Sequence, residues 1–187
     1  MTPRWAAAPV ALGAVLALGG CIGAVDRHDF NRLVEQRGGG LVSALPQGGI
    51  AALRSRLGVS DFNVVSVSLT ASGQRADFYV RQPGRPDRED SYSYAQGRLG
   101  APNPVRLPAG SADDDSFPIS QATALGRVEE VVDAALAKTG FENARVTTVA
   151  VALADGDIRV TAQVDSPRSA AAVLFDKTGA FVRVQPW

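Results

Sequence analysis

Cysteine and histidine each occur once in these 187 residues, as Cys21 and His28, and methionine occurs only at position 1. A single thiol cannot close an internal disulfide, and two such residues cannot supply the Cys/His ligand set of a zinc site. Aromatic residues make up only 6% of the chain. Lysine is confined to Lys138 and Lys177. Acidic and basic residues balance at nineteen each, so the clustered positive face that nucleic acid requires has no compositional basis. The apolar run Ala6–Leu18 has 13 residues, short of the roughly 20 needed to cross a bilayer as a helix.

The usual catalytic spacings are missing too. No Gly-x-Ser-x-Gly, Ser-x-x-Lys or His-Glu-x-x-His is present. The lone histidine lies in Asp26-Arg27-His28-Asp29, a charged stretch near the N-terminus that reads as a solvated tether. Asp113-Asp114-Asp115 lacks the alternating acids and glycine of a calcium loop and reads as linker. Gly38-Gly39-Gly40 has no following Lys-Ser/Thr, so it is no phosphate loop. Arg85, Asp87, Arg88, Glu89 and Asp90 read as a mixed-charge loop between strands, where a partner could dock. The expectation is a protein that is not an enzyme, with no cofactor and no metal.

What is present begins at the N-terminus. One positive charge, Arg4, precedes the apolar run, which ends Leu18-Gly19-Gly20-Cys21. A basic start, a short apolar middle and small residues at the end describe a secretory signal peptide. The ending resembles the lipobox of bacterial lipoproteins, with leucine three residues before the cysteine and small residues between. The resemblance implies cleavage after Gly20 and a diacylglyceryl group on the Cys21 thiol. Two acyl chains hold a protein on a membrane where one does not. The plainer alternative is an ordinary signal peptide with Cys21 as a spare thiol. Loss of residues 1–20 removes only Arg4, leaving eighteen basic against nineteen acidic residues, a net charge of −1. Seventeen arginines, with abundant Ala, Gly, Val and Pro, point to GC-rich codons, as in an actinobacterial genome.

Two stretches of the remaining chain look alike. Residues 62–80 laid over 146–164, a shift of 84, bring Val65, Val67 and Leu69 onto Val149, Val151 and Leu153. The same shift brings Ala76, Phe78 and Val80 onto Val160, Ala162 and Val164. Alternation of this kind predicts strands with one buried face. Ala71-Ser72-Gly73 and Asp155-Gly156-Asp157 supply hairpin turns. Third runs follow at Ser91–Tyr94 and Ala172–Phe175, with glycine turns and short apolar segments after each.

A helix precedes each set. Ser120 is the expected N-cap of the second, with Leu125, Val128, Val132, Ala135 and Leu136 on one face and Gly140 at its end. Ile50, Leu53 and Leu57 form the stripe of the first, which Gly58 ends. The fold class predicted is α+β in two tandem units, each a helix on a three- or four-stranded antiparallel sheet. The boundaries expected are 1–20 signal peptide, 21–44 lipidated tether with a short helix at Asp26–Gly40, and 45–108 first unit. A linker at 109–118, reached through Pro102, Pro104 and Pro108, and a second unit at 119–187 complete the chain.

The second unit, a helix then antiparallel strands ending Phe175-Asp176-Lys177-Thr178-Gly179-Ala180-Phe181, resembles the PepSY family. There a strand commonly finishes in an Asp-x-x-Thr-Gly pattern, from which Asp176-Lys177-Thr178-Gly179 differs by one residue fewer between Asp and Thr. The first half departs from it, with Ala95-Gln96-Gly97 at that place. The resemblance implies a non-catalytic envelope module that binds a partner. The expected function is a lipid-anchored binding or regulatory protein on the outer face of the cytoplasmic membrane. Its expected contacts are the membrane, through the Cys21 lipid, and an envelope protein. The alternative is a carrier or sensor of envelope lipid, with an apolar cavity.

Overall fold

The computed structural model describes residues 39–107 and 115–187. The signal segment with Gly20 and Cys21, His28, the Asp26–Gly38 stretch, Pro108 and Asp113-Asp114 lie outside the described residues.

Alternating apolar residues do become strands, but the two expected sheets are one. Strands β1 (Asn63–Thr70), β2 (Arg75–Gln82), β3 (Arg85–Ala95) and β4 (Arg98–Leu99) form one flank. Strands β7 (Arg145–Ala154), β8 (Asp157–Asp165), β9 (Ala170–Asp176) and β10 (Phe181–Pro186) form the other. The order across the sheet is β10-β9-β8-β7-β1-β2-β3-β4. Two short strands lie off this path: β5 (Asn103–Val105) pairs with β3, and β6 (Phe117–Pro118) pairs with β1. The seam is antiparallel, from Ser66 opposite Ala152 to Thr70 opposite Thr148. These two stretches are edge strands of their own hairpins and carry only Ser, Thr, Ala, Val and Leu. With no charge or proline to blunt them, each satisfies the other's free backbone groups. Two tandem units with separate sheets do not form.

The shift of 84 also needs correction. Strand β1 bulges at Val65, between Val64 opposite Val80 and Ser66 opposite Tyr79. Strand β7 bulges at Thr147 in the same way. Aligning the bulges gives an interval of 82, which brings buried Val64, Val67 and Leu69 onto buried Val146, Val149 and Val151. Val65 and Leu153 are only half-buried. Across the hairpins the interval returns to 84, since Val64 and Val146 oppose Val80 and Val164. The second hairpin holds the two extra residues: past Ala152 opposite Arg159 it adds the pairs Leu153–Ile158 and Ala154–Asp157, while its turn, Asp155-Gly156, is shorter than Ala71–Gln74.

Helix α1 (Ala44–Leu57) buries Pro46, Gly49, Ile50 and Leu53 against the sheet. Pro46 fits the first turn, where a missing N–H costs nothing. Gly49 weakens the helix intrinsically but lets it sit close to β2: a Cβ there would meet the Phe78 ring at 2.5 Å. Helix α2 (Val128–Thr139) buries Val128, Val131, Val132 and Ala135, the α1 positions displaced by 82. Gly58 and Gly140 end the two helices in left-handed conformation, as their positions predicted.

The start of α2 differs from expectation. Ser120 lies in a 3-10 turn and hydrogen-bonds Asp61, while the helix begins eight residues later. Its first N–H, at Val128, is capped from the other half of the chain by Ser43 Oγ at 2.9 Å. Ser43 N–H and Oγ in turn donate to the Glu129 carboxylate. The two helix N-termini are thus tied together.

Both helices lie on the face that carries Val67, Phe78, Val151 and Phe175, all at 0% exposure. Each such side chain contributes roughly 1.5–3 kcal/mol by leaving water. The opposite face carries no helix among the described residues.

Candidate functional site

Three places hold more than packing. The first is the turn at Asp176-Lys177-Thr178-Gly179. Asp176 Oδ1 accepts from Thr178 N at 2.8 Å, Thr178 Oγ1 at 2.6 Å and Ala180 N at 3.0 Å. The Thr178 hydroxyl bond, then the backbone bonds, outweigh burial and hold the Asp176 carboxyl below the usual range. Gly179 has φ +89°, and a Cβ there would press on Val131 of α2 at 3.3 Å. Lys177 O receives Ala124 N at 2.9 Å. All these bonds are internal, so the turn is a clasp that docks the β9–β10 hairpin on α2.

The second is a buried charge cluster where a loop was expected. Arg85 to Asp90 continue β3, and the sheet buries Glu89 and Asp90. The Arg81 side chain is only 3% exposed, with Glu89 at 3.5 Å and Asp115 at 2.6 Å. Its Nε and Nη1 have no hydrogen-bond acceptor. Burial pushes the Glu89 carboxyl up, against the pull of Arg81. Asp90 accepts from Gln82 Nε2 at 2.8 Å, and it raises the Tyr92 hydroxyl, whose main upward push is burial. Asp115, expected as solvated linker, is the outer carboxylate of this cluster and pins the chain's return from the linker. β5 uses Asn103–Val105 of the proline-containing stretch as an edge strand on β3. Among the described residues no group of three or more His, Cys, Asp or Glu could hold a metal ion.

The third is the uncovered sheet face. The strand registers place its side chains in three rows. One runs Gln185, Ala172, Gln163, Thr148, Thr70, Arg75 from β10 to β2. The next runs Arg183, Leu174, Thr161, Ala150, Ser68, Asp77. The last runs Asp176, Arg159, Ala152, Ser66, Tyr79. All are half-buried or exposed. A strand face that only needs solubility carries Lys and Glu; the centre of this one has hydroxyls, alanines and amides. At the β10 corner, Thr161, Ala172, Leu174, Gln185, Pro186 and Trp187 line a shallow groove of about 380 Å³. Trp187 is 78% exposed, and its backbone N–H donates to Ala170 O at 3.3 Å. Sequence reading missed this face because each residue alone looks like ordinary strand exterior. The available signal was the run of uncharged residues at the centre of these rows, among strands that carry Arg and Asp towards their ends.

No protein-family model and no curated protein matches this chain. A solved structure is similar: CD1622 of Clostridium difficile 630, described as a candidate lipoprotein. It is 12% identical with a TM-score of 0.51, over 74% of this chain and 90% of that one. At that identity the likeness is one of fold. No helix among the described residues is long and apolar enough to cross a membrane.

Proposed function

We propose that this is a lipid-anchored binding module of the bacterial cell envelope, which holds an envelope component on its uncovered sheet face. The observation that carries the reading is that face: seven main strands wide from β10 to β3, uncharged at its centre, and opposite a helix layer that already closes the core. The Leu18-Gly19-Gly20-Cys21 ending supports lipidation at Cys21 and a location outside the cytoplasmic membrane. The candidate-lipoprotein description of CD1622 is in keeping with it. The order of helix and hairpins in each half supports the PepSY resemblance, with the two halves fused through β1 and β7 into one surface. A protein partner fits the regulatory form of this reading.

The lipid-carrier reading needs an apolar cavity between helices and sheet. That space is occupied by fully buried Val67, Phe78, Val132 and Phe175. A photo-crosslinking residue at Ser68, in native membranes, tests the binding reading. It should capture a discrete envelope component, and the same residue at Glu130 on α2 should not. Cys21→Ala should release the protein to the soluble fraction or leave the precursor uncleaved. Normal membrane retention of the cleaved mutant would defeat the anchor.

A further inference from the structure

An uncharged band crosses the open face diagonally. It starts at Trp187, passes Ala172 and Thr161, then Ala150 and Ser68, and ends at Tyr79. Strand register fixes this path: Thr161 opposes Ala150, Ala150 opposes Ser68, and Ser66 beside them opposes Tyr79. The charged residues of the three rows, Arg75, Asp77, Arg159, Asp176 and Arg183, all lie to either side of it. Both ends of the band are exposed aromatics, Trp187 at 78% and Tyr79 at 38%. They stand five strand spacings apart, roughly 24 Å in the direction across the strands.

Each property narrows the ligand. The span calls for an extended polymer, and the lack of fixed charge along the band calls for a neutral one. The hydroxyls of Thr161, Ser68 and Tyr79 both donate and accept, which suits a ligand that is itself covered in hydroxyls. Small residues between the aromatics leave the surface flat, so a chain can lie on it. The C–H face of a sugar ring offers an apolar surface on which an exposed aromatic ring stacks. An acyl chain would find no enclosed groove here, since the band is open along its length.

We infer that the open face binds a linear neutral polysaccharide of the cell envelope, lying from Trp187 to Tyr79 and stacked on both rings. This rests on the proposal that the face is a binding surface and supplies the ligand class. The test is affinity electrophoresis of the full chain in non-ionic detergent, through gels containing soluble neutral glucan, galactan, arabinan or mannan. At least one polymer should retard the protein. Trp187→Ala and Tyr79→Ala should each weaken that retardation about tenfold, the usual scale for losing one aromatic anchor. Both rings are exposed, so the variants should unfold at the wild-type denaturant midpoint.

No retardation by any neutral polymer overturns the inference. So does retardation that both variants leave unchanged, or Trp187-dependent binding only to phosphatidylglycerol vesicles. If the polymers fail while the Ser68 crosslinker still captures a discrete component, the sugar identity falls and the binding face stands. If both fail, the face is not a binding surface.

Discussion

Ser68 of β1 pairs with Ala150 of β7, and the two stand 82 positions apart. That is the interval that carries the buried positions of α1 onto those of α2, Gly58 onto Gly140, and the β1 bulge onto the β7 bulge. Ser68 therefore faces its own counterpart, and a local two-fold axis passes through the pair. Val67 faces Val151, the counterpart of Leu69, and Leu69 faces Val149, the counterpart of Val67. An axis in the middle of a sheet makes each flank the continuation of the other.

One consequence is cooperativity. Val67 and Val151 oppose each other at the seam and are fully buried. Val67→Ala or Val151→Ala should each cost about 1–3 kcal/mol, the range for deleting two buried methyl groups. The loss should appear in a single urea transition seen alike by Tyr fluorescence and far-ultraviolet circular dichroism. Two resolved transitions, only one of them shifted, would mean that the halves fold as independent units.

Helix α1 offers a sharper contrast. Gly49→Ala places a methyl group 2.5 Å from Phe78 Cε2 and 3.3 Å from Tyr94 Cβ. The helix must lift from the sheet, and overpacking of this kind costs about 1–3 kcal/mol. Gly58→Ala meets nothing within 4 Å, and only its φ of +69° opposes it, at about 1 kcal/mol. Denaturant midpoints should rank Gly49→Ala below Gly58→Ala. An inverted order would show that α1 does not sit as close to β2 as the Gly49 backbone allows.

Much of this architecture is legible in the sequence, and the failures have physical causes. Alternation marks Val67 and Leu69 as buried because a strand face has period two. The same periodicity hides a slip of two residues, which leaves every side chain on its correct face. Hence the misplaced pairing of Val65 with Val149. Bulges leave no local signature, and the seam is a contact between strands more than eighty residues apart. Arg85 to Asp90 read as loop because charge density outweighs β-propensity in any local window. Arg81 makes the strand feasible by pairing with Glu89 from β2. Nor could Ser43 be read as the cap of a helix 85 residues downstream, because capping is inferred from neighbours in sequence.

That long-range cap has a pH signature. Burial alone would raise the Glu129 carboxyl, but bonds from the Ser43 hydroxyl and N–H outweigh it and hold the carboxyl below its ordinary value of 4.5. A depressed carboxyl contributes stability above the unfolded value and loses it as pH falls through the folded one. Ser43→Ala should cost about 1 kcal/mol near neutral pH, the usual value of a cap. The deficit should shrink in acid, where Glu129 is protonated in both proteins. A deficit that stays constant from neutral to acid pH would remove Glu129 from the account.

Glu89 has the opposite sign. Its side chain is 5% exposed, and burial raises its carboxyl above the ordinary 4.5, with Arg81 pulling down and Asp115 pushing up. A raised carboxyl is stabilising below the unfolded value, and that contribution is lost as pH rises through the folded value. The shorter contact of Arg81 is to Asp115, at 2.6 Å, against 3.5 Å to Glu89. Relative to the unfolded chain, the fold therefore favours the protonated form of Glu89. Glu89→Gln keeps the shape and remains neutral, so it should match the wild type in mild acid and exceed it progressively from above pH 4.5 upward. Urea midpoints taken at intervals from about pH 4 to 8 would measure this. Parallel curves for the two proteins would mean that Glu89 is ionised throughout, with Arg81 as its full partner. Arg81→Met gives the complementary arm. It leaves Glu89 buried without its cation, so the fall in stability with rising pH should steepen, whereas a pair dominated by Asp115 alone would leave the slope unchanged.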